Sequence, residues 1–268
     1  MNTMERYHQW CTDPYFDEAT RAELKALEEQ GQTEEINDRF YRELAFGTGG
    51  LRGILGAGSN RMNLYTVRKA TQGLANFILK QGTASKGVAI SFDSRIMSPE
   101  FAEETSLCLT ANGIPTYRSA SLRPVPVLSF ATRTLGCTAG VMITASHNPP
   151  AYNGYKVYWQ DGAQLPPHHA EAIAKKMEEL DFFASIKRMD YDEAVEKGLI
   201  TVMGAETDEK FLSNVMGQVN DKAAVEKVAD TFKMVYTPFH GTGHKLIPEA
   251  LRRLGMKHVI CVPEQMVI

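Results

Sequence analysis

Residues 141–159 read VMITASHNPPAYNGYKVYW, placing Ser146, His147 and Asn148 directly behind an apolar run, with Lys156 carried a short way downstream. A serine in such a place can carry an acyl or a phosphoryl group. Acyl transfer needs a base on the hydroxyl, but adjacent side chains of an extended segment point to opposite sides, so a direct Ser146–His147 contact is awkward. The loop also lacks the G-x-S-x-G elbow that exposes a hydrolase serine. Phosphoryl transfer depends instead on positioned cations and donors, because the charge is spread over the phosphoryl oxygens. Lys156, Arg52 and Arg95 supply cations, and the backbone amides of GTGGLRG, with Thr48 and Gly49 among its residues, could form an anion nest.

The elements that must position these residues follow from periodicity. VMIT closes a buried strand that begins in GVMIT, and GVAISF reads as another. Between them, SPEFAEETSLCLTANG reads as a helix with Ser98 as N-cap and Pro99 at its first position, IPTYR as a strand and PVLSFATRTLG as a short helix. Strands alternating with helices at this spacing imply βαβ crossovers and a largely parallel sheet sandwiched by helices. Ligands of such sheets gather at the carboxyl ends of the strands, where FDSR and TASHNPP both fall. Asn153-Gly154 reads as a turn that returns YKVYW, and with it Lys156, to the serine loop.

Upstream, DEATRAELKALEEQ and TEEINDRFYREL make residues 1–45 a helical preface. FGTGGLRGILGAGSNRMN follows, and its glycines at 47, 49, 50, 53, 56 and 58 predict a loop. Asn63 then caps a helix that Gly82 ends. After PHHAEAIAKKMEEL, a mixed polar stretch closes a domain spanning 46–205. Residues 206–268 add DEKFLSNVMGQV and AAVEKVAD as helices, FKMVYT as a strand, GHKLIPEALRRLG as a helix and HVICVP as a strand. This partial second α/β domain leaves its last strand uncovered, so the chain reads as cut inside that domain.

Across 268 residues, 43% hydrophobic and 23% charged with a formal net charge of -3, no broad basic surface is implied, and a nucleic-acid partner is not expected. No apolar run suggests a membrane span and no leader is visible, so a cytoplasmic location is expected. Cys11, Cys108, Cys137 and Cys261 form no metal or disulfide pattern, and Cys108 and Cys137 read as core thiols. His168-His169 reads as an exposed helix start rather than a metal site, and His240 and His244 as structural.

TASHNPPAYNGYKVY resembles the active-site loop of the α-D-phosphohexomutases, FGTGGLRG their amino-terminal phosphate loop, and VYTPFHGTG the opening of their second domain. The long helical preface is most similar to the phosphoglucomutase branch, which also includes phosphopentomutases. The resemblance implies that Ser146 is phosphorylated and exchanges its phosphate with either end of a hexose phosphate through a bisphosphate, with glucose 1,6-bisphosphate as the activating donor. It implies a Mg²⁺ held partly by the phosphate oxygen on Ser146, His147 beside the nucleophile, and Lys156 in acid–base or charge-stabilising work. Thr48, Gly49 and Arg52 match the loop that approaches the serine and the substrate phosphate, with Asn148 and Arg95 as supports. Arg95 reads equally well as an ion pair with Asp93.

The family's Asp-x-Asp-x-Asp-Arg metal loop has no counterpart here: DFFAS and DYDEA do not match it. This chain by itself is therefore expected to show little or no mutase activity. Phosphoglucomutase is the leading reading. Phosphomannomutase or phosphopentomutase activity shares every visible motif, and a non-catalytic sugar-phosphate-binding module is the alternative from another class. Sugar phosphates are the expected partners in each case.

Overall fold

The computed structural model describes residues 1–180 and 185–268. Three helices open the chain: α1 (Thr3–Thr12), α2 (Glu18–Glu29) and α3 (Thr33–Phe40). α1 falls within the expected helical preface, although it lies outside the two segments that periodicity marked. It forms through a capping box between Asn2 and Glu5 and through tertiary burial of Tyr7, Trp10 and Cys11. Trp10 stacks on Phe16 at 4.1 Å, and both rings meet Tyr65, so the preface has an aromatic core of its own.

The glycine-rich segment is not wholly a loop. Gly50–Ile54 forms strand β1, antiparallel to β5 (Tyr152–Trp159). Glycine permits this close pairing: Gly50 has a φ of 140°, and a Cβ there would collide with the Tyr155 carbonyl. The expected turn at Asn153-Gly154 is also corrected, since both residues lie inside β5. The side chain of Asn153 is buried and donates to the Ile96 carbonyl at 2.9 Å and to Ser98 Oγ at 3.0 Å. At Gly154 a Cβ would stand 2.6 Å from the Thr144 carbonyl and 2.8 Å from that of Leu51, so the neighbouring strands close over this position.

α4 (Leu64–Lys80) carries the expected Asn63 cap. β2 (Val88–Phe92), α5 (Ser98–Ala111), β3 (Thr116–Ser119), α6 (Val125–Thr134) and β4 (Ala139–Ile143) then alternate as the periodicity predicts. Ser98 is not the cap of α5. Met97 holds that place at φ 66°, and Ser98 starts the helix. The Ser98 hydroxyl donates to Asp93 Oδ1 at 2.9 Å. α7 (Pro167–Glu178) and α8 (Tyr191–Glu196) precede a strand hidden in the polar stretch, β6 (Ile200–Met203), which pairs parallel to β3. As a half-exposed edge, β6 lacks the apolar run that marks a central strand.

The sheet order is β1-β5-β4-β2-β3-β6. β4, β2, β3 and β6 are mutually parallel, while β5 pairs antiparallel with both β1 and β4. The expected α/β class with a mixed, largely parallel sheet is the one observed. β2 and β4 are buried at every position. Val88, Ile90, Val141 and Ile143 join one cluster with residues of α4, α5 and α7. Ala89 and Met142 face the other way into a cluster with Leu128 and Ala131 of α6. Cys108 and Cys137 are core thiols, and burial pushes Cys137 up to about 12.

The remaining residues form α9 (Ala205–Gly217), α10 (Lys222–Val228), β7 (Lys233–Tyr236), α11 (Leu246–Arg253) and β8 (His258–Cys261), with β7 and β8 parallel. They seat on α6 through Val127, Leu212 and Leu246, and through Phe130 edge-on to Phe211 at 5.6 Å. Beside this apolar seat, Arg123 Nε and Nη2 grip the Asp208 carboxylate at 2.6 and 2.7 Å, and Lys245 adds a contact at 3.1 Å. The β7–β8 pair leaves Val235 and Ile260 exposed. No described helix is long and apolar enough to cross a membrane.

Candidate active site

Beyond Ile143, the last residue of β4, the chain turns through Thr144 and Ala145 into Ser146, whose φ of 58° is left-handed. A non-glycine residue there is strained and needs a reason. The Ser146 amide donates to Thr144 Oγ1 at 3.0 Å, and the Asn148 amide closes a turn on the Ala145 carbonyl at 3.1 Å. Arg95 supplies the main restraint. Its Nη2 donates to the carbonyls of Ser146 at 2.9 Å and Asn148 at 2.7 Å. Its Nη1 donates to those of Pro149 at 3.0 Å and Tyr152 at 2.9 Å. One guanidinium thus holds three carbonyls of the serine loop and that of Tyr152 at the start of β5, while its Nε lies 3.7 Å from Asp93 Oδ2.

The left-handed turn changes the Ser146–His147 relationship expected of an extended chain. Ser146 Oγ and His147 Nδ1 stand 3.4 Å apart, and both residues are exposed. That separation is at the long limit for a hydrogen bond, so the base contact a serine hydrolase requires is weak.

The candidate residues other than His147, which lines neither, divide between two adjoining spaces. Ser146, Asn148 and Arg95 line a cleft of about 540 Å³ together with Asp93, Val125, Thr144, Phe239 and Thr242. Thr48, Gly49, Arg52 and Lys156 line a hollow of about 270 Å³ with Gln164. Arg52 links them, its Nη1 donating to Asn148 Oδ1 at 3.0 Å. β5 places Lys156 opposite Gly50 on one side and Met142 on the other. Burial pushes the Lys156 ammonium below its ordinary value, Arg52 adds to the fall, and Asp93 partly offsets it.

Several contributors escape sequence reasoning. Asp93 reads as half of an ion pair, yet its Oδ1 accepts from the Arg95 amide at 3.0 Å and from Ser98, which sets the strand end that Arg95 leaves. Phe239 and Thr242 reach the serine cleft from the second group of elements, and VYTPFHGTG was the signal available for them. His240, expected to be structural, places its Nδ1 2.8 Å from the Val267 carbonyl. His169 sits against Trp159 and Phe77 rather than fully in solvent.

Mg²⁺ seeks an octahedral set of oxygens, usually carboxylates with phosphate and water. Among the described residues, no group of three or more His, Cys, Asp or Glu side chains can hold a metal. A phosphate on Ser146 would bring oxygen ligands, but these residues do not complete a Mg²⁺ site around it.

The family described as "Phosphoglucomutase/phosphomannomutase, alpha/beta/alpha domain I" matches residues 43–184, more than half of the chain. The chain belongs to this family. Phosphoglucomutase of Staphylococcus saprophyticus subsp. saprophyticus is 36% identical over 242 residues, covering 90% of this chain and 43% of its own length. A Schizosaccharomyces pombe protein named "Probable phosphoribomutase" is 37% identical over 280 residues, covering 98% of this chain and 45% of its own. The chain thus spans less than half the length of those relatives.

Two solved structures share the fold. The Paramecium phosphoglucomutase parafusin in its open form superposes with a TM-score of 0.66 at 19% identity, over 84% of this chain and 45% of its own. A phosphoglucomutase/phosphomannomutase family protein of Burkholderia thailandensis gives 0.62 at 18%, over 85% and 45%.

Proposed function

We propose that Ser146 is a phosphoryl carrier and that these residues form part of a phosphohexomutase, with phosphoglucomutase as the leading activity. The observation that carries this reading is the strained, exposed Ser146 at the carboxyl end of β4, whose loop carbonyls are held by Arg95. A hydroxyl fixed in space with cations around it suits a group that must give and regain a phosphoryl group without a strong base. In the forward half-reaction a sugar-phosphate hydroxyl attacks phosphorus and the P–Oγ bond breaks. Oγ leaves with the electron pair, and the hydroxyl proton passes to a general base. The resulting bisphosphate returns its other phosphoryl group to Oγ.

Arg52 spans the serine cleft and the hollow that holds Thr48, Gly49 and Lys156, which fits a substrate whose phosphate lies near the glycine-rich turn. Lys156, partly buried and short of its ordinary proton affinity, suits acid–base or charge-stabilising work there. Glucose 1,6-bisphosphate is the matching activator. A Mg²⁺ bound to phospho-Ser146 would neutralise phosphoryl charge with carboxylates from outside these residues. This chain alone is then expected to turn over little or not at all.

Pentose phosphate is the second reading, favoured by the 37% identity to the protein named a phosphoribomutase. Phosphorus NMR of glucose 1-phosphate with Mg²⁺ and a trace of glucose 1,6-bisphosphate tests the proposal, comparing this chain, a version extended through its downstream coding sequence, and Ser146→Ala of that version. Glucose 6-phosphate from the extended wild type alone supports the reading. Ribose and mannose 1-phosphates in the same assay separate the sugars. Silence on all three sugars sinks mutase activity and leaves a sugar-phosphate-binding module.

A further inference from the structure

Phe239 and Ile96 are the two large apolar side chains that stand open at the serine cleft, 73% and 66% exposed, and both line it. They come from different parts of the fold: Ile96 from the segment between β2 and α5, and Phe239 from the turn after β7.

The backbone at both places is unusual. Among the described residues four non-glycine residues have positive φ: Met97 at 66°, Ser146 at 58°, Phe239 at 50° and His240 at 59°. Ser146 and Phe239 line this one cleft, and Met97 and His240 each adjoin a residue that does. Backbone strain persists only where surrounding structure enforces it, and it concentrates where a side chain must be aimed.

The enforcement is visible here. The Phe239 amide donates to Gln265 Oε1 at 3.1 Å and the His240 amide to the Gln265 carbonyl at 3.0 Å. On the other side, Asn153 Nδ2 donates to the Ile96 carbonyl at 2.9 Å. Both strained turns are therefore tied to their own scaffolds and need no ligand to form. An exposed aromatic ring held at such a cost gains nothing for the core, since it is not in the core.

We infer that Phe239 and Ile96 are substrate-ring contacts: the Phe239 ring takes the apolar C–H face of the sugar that accepts or donates the phosphoryl group of Ser146, with Ile96 closing on it from the first domain. This inference rests on the sugar-phosphate reading of the same cleft. A pyranose presents axial C–H bonds on one face and hydroxyls at its rim. An aromatic ring selects that face while the cations hold the phosphate. The two residues sort sugar phosphates from inorganic phosphate, a discrimination that a cation such as Arg52 does not supply.

The test follows glucose 6-phosphate and inorganic phosphate separately, by methyl and aromatic NMR of this chain, in wild type and in Phe239→Ala, with Phe239→Leu as the bulk-retaining variant. Because the ring is mostly exposed, Phe239→Ala keeps the fold, as an unchanged amide spectrum away from the cleft will verify. Glucose 6-phosphate is expected to move the Phe239 ring and Ile96 methyl resonances. Phe239→Ala is expected to weaken its binding about tenfold, as for loss of one aromatic contact, with inorganic phosphate binding unchanged and Phe239→Leu intermediate.

Equal glucose 6-phosphate binding by wild type and Phe239→Ala, equal losses for both ligands, or no glucose 6-phosphate binding at all overturns the inference. The mutase reading fails separately, through an extended protein that converts none of the sugar phosphates.

Discussion

Arg95 Nη2 holds the carbonyl oxygen of Ser146 at 2.9 Å, so the left-handed residue that presents the hydroxyl is pinned by a cation lying on a different strand end. The same guanidinium reaches Asn148, Pro149 and Tyr152, which makes one side chain the main restraint on the loop.

Replacing it should therefore cost both stability and loop order. Arg95→Ala leaves four carbonyls to find water and is expected to destabilise the chain by about 2–3 kcal/mol, on the scale of lost hydrogen bonds to a charged group. Arg95→Lys should recover only part of this, because an ammonium cannot span both pairs of carbonyls with a planar fork. Urea unfolding measures the cost, and a loss under about 0.5 kcal/mol would show that the loop is held by other means.

Ser146 itself sets stability against chemistry. At φ 58° a glycine escapes the Cβ strain that serine and alanine both bear. Ser146→Gly should then be more stable than Ser146→Ala by about 0.5–1 kcal/mol, after the extra freedom of glycine in the unfolded chain is subtracted. Both variants should lose phosphoryl transfer in the extended protein. Equal melting temperatures would mean the turn relaxes once the hydroxyl is gone.

Lys156 titrates below an ordinary lysine through burial and then through Arg52. Arg52→Ala should raise its pKa, which titration followed by NMR at Nζ reads directly. The folded state binds the proton less tightly than the unfolded chain, so stability rises as pH climbs from the folded pKa toward the ordinary value of about 10.4. The variant should show a smaller rise over that window. An unmoved Lys156 pKa would leave burial as the whole cause.

Asp208 fastens the second group of elements to the first. Burial alone would raise its pKa, but the hydrogen bonds from Arg123 and Lys245 outweigh it and hold the carboxyl below its usual range. Removing one partner of a buried pair is expensive, so Asp208→Asn should cost roughly 3 kcal/mol at neutral pH. The wild-type advantage is present above the unfolded carboxylate pKa of about 3.9 and is lost as pH falls through the lower folded value. Melting temperatures of both proteins from neutral pH downward will show whether the gap closes in acid. A gap that persists there would assign the cost to packing rather than charge.

The sequence by itself determined the alternation of strands and helices from GVAISF to GVMIT, the cap at Asn63, the core thiols and the serine loop with its family resemblance. Each of these rests on local chemistry: buried strands need continuous apolar runs, a helix start needs an acceptor, and a strand end followed by Ser-His-Asn-Pro has few structural uses. Only the tertiary structure decided what depends on a partner distant in sequence. Gly50–Ile54 is a strand because Tyr152–Trp159 lies beside it, and Asn153-Gly154 stays inside that strand because Ile96, Ser98 and the flanking carbonyls enclose it. Ile200–Met203 becomes a strand by adding to the edge left by Thr116–Ser119. Arg95 as a loop clamp, Arg123 on Asp208, and Phe239 in the cleft of Ser146 follow the same rule. A side chain's type states what it can bind, and only the folded chain brings a carbonyl, a carboxylate or a cleft within its reach.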